Sequence, residues 1–145
     1  MRDNQWLAGR LETIWKTHFA DVPIQNEVVV RFGRRARTRL GSIKFGRSTS
    51  SRQTADRTYI TITGYFRQEL VPEYVVDAVL AHEFSHYAHG FHSPNAQLYS
   101  HPHKHGVVTK ELTARGLGGI VKKQKTWIKS NWTKFIRDYS RRMSD

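Results

Sequence analysis

The chain has 145 residues, no cysteine and a formal net charge of +12. This length suits one ordinary domain with its own core. The absence of cysteine excludes disulfides and thiolate zinc sites, so a metal site here must use His, Asp or Glu. The charge favours polyanionic partners such as nucleic acid, although a basic surface also serves solubility alone. No apolar run reaches the roughly 18 residues of a membrane span, and this composition favours a cytosolic globular protein.

The first part of the chain predicts a helix followed by three strands. Apolar residues recur at helical spacing over 5–20, and Pro23 lies just beyond that segment. The β-branched run 28–32 predicts a strand, and residues 40–45 predict a second strand after a basic arm at 34–39. A polar loop over 47–57 follows. Residues 58–63 then alternate polar and apolar side chains, which is typical of a strand with one buried face.

The second part of the chain predicts helices. Pro72 and Glu73 are helix-start signals, apolar residues follow at helical spacing, and Gly90 is a plausible stop, so we expect a helix over 72–89. After an irregular segment over 91–105, a helix is expected from near Gly106 to about Arg115, and residues 120–142 predict a basic amphipathic helix. The expectation is one α+β domain over 1–145, in which residues 119–145 form a basic helical extension.

The predicted central helix carries His82, Glu83 and His86 in the pattern H-E-x-x-H. Residues four apart on a helix share a face, so both imidazoles can bind one ion. Glu83 is rotated by about 100° from His82, which lets its carboxylate act on a metal-bound water as a general base. The alternative is two ordinary histidines beside an ordinary glutamate. The mid-helix position, directly after an apolar stripe, favours the metal site.

A catalytic zinc needs a third protein ligand and an open fourth position. The candidates after the motif are His89, His92, His101, His103, His105 and Glu111. His105 is the first choice, because it precedes Gly106 and a predicted helix, so that the loop over 90–104 could bring the chain back to the metal. His103 is the second choice. Glu111 is the third and would complete a His/His/Glu set, whereas His89 follows His86 too closely on the same helix.

These features resemble the SprT-like family of zincin metallopeptidases. The matching residues are the helix from Val71-Pro72-Glu73 through H-E-x-x-H, then His105-Gly106, then Leu117-Gly118-Gly119, and the order of helix and three strands agrees. The resemblance covers about residues 5–119. It implies a zincin-like fold in which His82, His86 and His105 bind zinc and Glu83 is catalytic. The chain departs from the family pattern at Val107-Val108-Thr109, the residues that follow His105-Gly106. Because it has no cysteine, it also lacks the zinc ribbon that many relatives carry.

The resulting hypothesis is a zinc metallopeptidase that cleaves peptide bonds by Glu83-assisted attack of zinc-bound water. We expect the strand over 58–63 to be the sheet edge beside the cleft, where a peptide substrate could add through main-chain hydrogen bonds. A further donor to the oxyanion could be Tyr87, Tyr99, His101 or His103, and the sequence does not decide among them.

Two basic clusters suggest a nucleic-acid partner. The first comprises Arg31, Arg34, Arg35, Arg37, Arg39, Lys44, Arg47 and Arg52, and the second Lys122, Lys123, Lys125, Lys129, Lys134, Arg137, Arg141 and Arg142. Trp127 and Trp132 lie within the second cluster and could stack on bases, but their helical spacing favours a core role. Some SprT-like proteins act on proteins crosslinked to DNA, which such a surface would suit. The alternative function is a nucleic-acid-binding module of zincin fold with a structural or inactive metal site. A metal hydrolase acting on another kind of bond is a third, weaker option.

Overall fold

The computed structural model of the protein describes residues 1–46 and 57–144. In that part of the chain, four α-helices and a three-stranded mixed sheet form the α+β fold expected from the sequence. In chain order the elements are α1 (Asn4–His18), β1 (Glu27–Phe32), β2 (Gly41–Phe45), β3 (Arg57–Ile62), α2 (Glu73–Ala88), α3 (Val107–Ala114) and α4 (Gly118–Ser144). Short 3-10 turns at Gly64–Arg67 and Lys104–Gly106 were not predicted.

The predicted helices and strands are all present, with ends that differ by a residue or two. The predicted loop over 47–57 lies outside the described residues except for Arg57, and so do Arg47 and Arg52 of the first basic cluster. No helix in the described part of the chain combines the length and apolarity that a membrane span requires.

The sheet has the strand order β1-β3-β2, with β1 parallel to β3 and β2 antiparallel to it. Strand β3 is therefore central, and the prediction that residues 58–63 form the sheet edge beside the cleft is wrong. The alternation in this segment reports which side chains are buried, and Thr58, Ile60 and Ile62 are indeed buried. It carries no information about which strands lie on either side. The edge strand at the cleft is β2.

Helix α2 crosses the centre of the molecule, and most of its 16 residues are buried. Pro72 precedes its first turn, and Gly90 lies just beyond its end with a φ of 82°. A side chain at Gly90 would lie 2.5 Å from the carbonyl oxygen of Ala96, so the tight return of the chain after α2 requires glycine. The fold thus presents the second half of α2 to the segment that follows it.

Helix α4 is part of the core rather than a detached tail. It buries Val121, Trp132 and Ile136 against the rest of the protein, and Trp127 packs partly buried beside them. The indole Nε1 of Trp132 donates a hydrogen bond of 2.8 Å to the backbone carbonyl of Arg37. The core interpretation of the tryptophans is therefore confirmed, and the many lysines of α4 face outward.

Replacing Trp132 should consequently destabilise the fold. We expect Trp132→Ala to lower the free energy of unfolding by about 3–5 kcal/mol, because a buried aromatic side chain is lost and a cavity remains. Trp132→Phe keeps most of the packing but loses the hydrogen bond to Arg37, and should cost about 1–2 kcal/mol. Urea unfolding of the two variants beside the wild type measures both values. A fully stable Trp132→Ala variant would contradict the core role.

Candidate metal centre

Three histidine side chains meet beside α2. His82 and His86 lie one turn apart on the helix, and His103 reaches them from the segment that follows. Their Nε2 atoms form a small triangle, with 3.2 Å between His82 and His86, 3.0 Å between His86 and His103, and 3.4 Å between His82 and His103. Sequence spacing predicted the first two members, and His103 was the second choice for the third.

The segment after α2 folds back because it is tied to the end of that helix. The amide of Phe91 donates to the carbonyl of His86, and the amide of Leu98 donates to the carbonyl of His89. The hydroxyl of Ser93 donates to the carbonyl of Tyr87 at 2.7 Å. These bonds engage carbonyls at the C-terminal end of α2, and they direct the chain back over the helix.

The triangle has the size of one face of a zinc coordination tetrahedron. With Zn–N bonds of about 2.0–2.1 Å, neighbouring ligand nitrogens in a tetrahedral site lie about 3.3–3.4 Å apart. The measured separations lie at or slightly below this value. An ion centred above the three nitrogens would keep its fourth position free, which is the arrangement of catalytic rather than structural zinc sites.

The protonation state of the helix pair suits metal binding. Burial, followed by the charges of His103 and Lys125, lowers the pKa of His82 to about 4. Burial, followed by the charge of His82, lowers the pKa of His86 to about 3. Both imidazoles are therefore neutral near pH 7, and each has a nitrogen lone pair available. A cation held at this triangle could accept the lone pairs of both rings.

The His86 ring is held by packing. Its Nδ1 atom is buried and has no hydrogen-bond partner among the described residues. Around it, the rings of His82, Phe91 and His103 stand nearly perpendicular to the imidazole plane. The surrounding rings therefore fix the orientation of the His86 ring by packing. In most metal-bound histidines, a hydrogen bond from the second ring nitrogen fixes the orientation instead.

The structure does not bring the other ligand candidates to this group. His105 is exposed, has a left-handed backbone with a φ of 62°, and lies outside the cluster. Glu111 instead accepts a hydrogen bond of 2.9 Å from Arg115, and its other carboxylate oxygen lies 3.7 Å from Nε2 of the buried His89. His105 and His103 are only two residues apart, so spacing alone could not separate them.

Glu83 lines the same cavity as the three histidines and is only 6% exposed. Burial raises the pKa of its carboxyl to about 7, against the opposing charge of Arg39. A carboxyl with that pKa can both accept and return a proton near neutral pH. Such a shift in a cavity is typical of a functional acid or base.

The cavity has a volume of about 570 Å³ and lies between β2, α2, α3, α4 and the segment over 91–103. Strand β2 comes unusually close to Glu83 at Gly41. A Cβ atom added there would lie 3.1 Å from the Glu83 Oε1 atom and 2.8 Å from a Val79 methyl group. Glycine at this position therefore sets the distance between the edge strand and the buried carboxylate, a role that no pattern in the sequence signals.

Among the four candidates for an oxyanion donor, only His103 lines the cavity. The hydroxyl of Tyr87 is already committed to Asn26 at 2.6 Å, and Tyr99 packs against the ring of His89. Two cations that were noted only as members of basic clusters do line it, Arg39 before β2 and Lys125 on α4. Their placement depends on tertiary contacts, so spacing could not reveal it.

A scan against protein-family models found no match. Searches of curated protein sequences and of solved structures likewise found no similar protein. The geometry described above therefore carries the functional argument.

Metal content separates the two candidates for the third ligand. We expect the wild type to bind one zinc ion per chain, His103→Ala to lose it on dialysis against a mild chelator, and His105→Ala to retain it. Elemental analysis of the three proteins, with His101→Ala as an exposed histidine control, is the measurement. The opposite pattern would move the third ligand to His105, and a metal-free wild type after zinc addition would remove the site altogether.

Proposed function

We propose that this protein is a zinc-dependent metallopeptidase with a zincin-like fold. The observation that carries the proposal is the triangle of imidazole nitrogens with a buried, proton-accepting carboxyl in the same cavity. His82, His86 and His103 would hold the ion. When bound, zinc would polarise a substrate carbonyl and lower the pKa of a water molecule.

Glu83 supplies the proton transfers in this proposal. Its carboxylate removes a proton from the attacking water and returns it to the leaving amine, so that the side chain ends the cycle as it began. The pKa near 7 supports both steps, because neither the charged nor the neutral carboxyl is strongly preferred. A site that was only structural would have no need for such a group.

Strand β2 is the proposed binding edge for an extended peptide. It pairs with β3 on one side, its residues Gly41, Ser42 and Ile43 line the cavity, and no described strand pairs with its other side. A substrate could therefore add to β2 through main-chain hydrogen bonds, which suits a peptide better than a small molecule. This assigns to β2 the role that the sequence suggested for residues 58–63.

The proposal agrees with the resemblance to SprT-like zincins in His82, Glu83 and His86. It differs in the third ligand, since that resemblance implies His105 and the geometry favours His103. Substrates associated with DNA would be in keeping with the resemblance.

A second candidate function is a nucleic-acid-binding module. The observation that favours it is the convergence of the two basic clusters, since Arg37 of the first is hydrogen-bonded to Trp132 within the second. Phosphate contacts need only such cations and give an affinity that falls steeply with salt. Trp132, however, is buried and offers no face on which a base could stack.

One substitution separates the two functions. We expect Glu83→Gln to lower kcat/KM on unstructured protein substrates by about 10²–10⁴-fold, because the amide cannot accept the proton. Zinc content and affinity for single-stranded DNA should not change. If the zinc-loaded wild type cleaves no polypeptide while it binds DNA in a salt-dependent way, the module is the better description.

Gly41→Ala tests the contact between β2 and Glu83. The added methyl group must displace Glu83 or the strand, and we expect kcat/KM to fall by about 10–100-fold with zinc content unchanged. Gly9→Ala is the matched control, because no atom other than its chain neighbours and the backbone of its own helix lies within 4 Å of the position where its Cβ would be. Equal activity of both variants would show that this contact does not position the carboxylate.

A further inference from the structure

A second cavity lies beside the metal-binding one, between the basic arm at 34–39 and helix α4. Its volume is about 780 Å³, within the usual range of ligand pockets. Its wall is formed by Arg37, Thr38, Trp132, Thr133, Ile136, Arg137, Ser140 and Arg141. We refer to it as the arginine groove.

The groove presents positive charge on an apolar floor. Trp132 and Ile136 are buried and form the floor, while Arg37, Arg137 and Arg141 are exposed around it. No carboxylate is among the described residues that line the groove. Asp138 lies 3.9 Å from Arg137 but outside the groove, so it offsets only part of the charge. This chemistry selects an anionic ligand, and guanidinium groups bind planar carboxylates particularly well.

The groove and the metal-binding cavity are adjacent. Thr38 lines both of them, and the next residue, Arg39, lines the metal-binding cavity close to Glu83. A chain that leaves the metal-binding cavity past Thr38 therefore enters the arginine groove directly. Cations continue along that route, from Arg39 to Arg37 and then to α4.

We propose that the arginine groove binds an acidic segment of the substrate polypeptide, a few residues away from the bond that is cleaved. The cleavage part rests on the proposed peptidase function, whereas the binding of an acidic segment does not. The groove would act as a specificity site that selects polypeptides with clustered Asp or Glu beside an extended stretch.

Two observations favour a polypeptide over a nucleic acid in this groove. It shares Thr38 with a cavity bordered by the edge of β2 that pairs with no described strand, which suits an extended peptide backbone. Its one tryptophan is 9% exposed, with its indole N–H already bonded, and so offers no face on which a base could stack.

The test compares two charge reversals on α4 that change the net charge equally. Arg137→Glu/Arg141→Glu alters the groove, and Lys129→Glu/Lys134→Glu alters exposed positions outside it. Each pair is made in the zinc-loaded Glu83→Gln protein. The probes are a fluorescent peptide with four consecutive Glu residues and its Gln counterpart, followed by anisotropy at low salt. Thermal unfolding midpoints check that every variant is folded.

We expect the Glu peptide to bind at least about tenfold more tightly than the Gln peptide, from a few screened charge pairs of up to about fivefold each. The groove variant should lose this preference and the control variant should keep most of it. Equal losses in both variants would overturn the proposal in favour of a general charge effect. So would a single-stranded oligonucleotide of equal charge that displaces the peptide with at least tenfold higher affinity.

Cleavage by the active protein separates this inference from the proposed function. At low substrate concentration, kcat/KM should be about tenfold higher for a substrate with the acidic segment than for its Gln counterpart. Equal rates would overturn the specificity site and leave the peptidase intact. A binding preference without cleavage of either substrate would overturn the peptidase and leave the acidic-segment site.

Discussion

Helix α2 carries two imidazoles and a carboxyl into the interior, where an unpaired polar group costs roughly 1–3 kcal/mol or more. The lowered pKa values of His82 and His86 and the raised pKa of Glu83 are the direct result of this burial. In each of the three groups burial shifts the balance toward the neutral form. A bound cation would interact favourably with the lone pairs of the imidazoles. It would also lower the pKa of Glu83, because a nearby positive charge favours the carboxylate.

The other helices and the sheet surround α2 on several sides. The sheet covers one side, α1 and α3 add to the apolar core, and α4 contributes Val121, Trp132 and Ile136. The polar side chains His82, Glu83 and His86 of α2 line the cavity that β2 and α4 border. Access to the three histidines is thus determined by elements that lie far from them in the sequence.

Local patterns predicted most of the secondary structure and two of the three clustered histidines. Helical spacing places His82 and His86 on one face whatever the tertiary fold, and alternation identifies β3 as a half-buried strand. Strand order is different, because alternation is the same in a central strand and in an edge strand. The choice between His103 and His105 depended on a left-handed residue and on hydrogen bonds to the end of α2, neither of which leaves a periodic signal.

The hydrogen bond from Trp132 to Arg37 links the two sides of the cavity that holds the candidate metal site. Helix α4 forms one wall through Val121, Gln124 and Lys125, and through Trp132 it also holds the arm that leads into β2, the opposite wall. One helix therefore contacts both walls of the cavity. A change in the position of α4 would alter the width of the opening without any substitution at His82, His86 or His103.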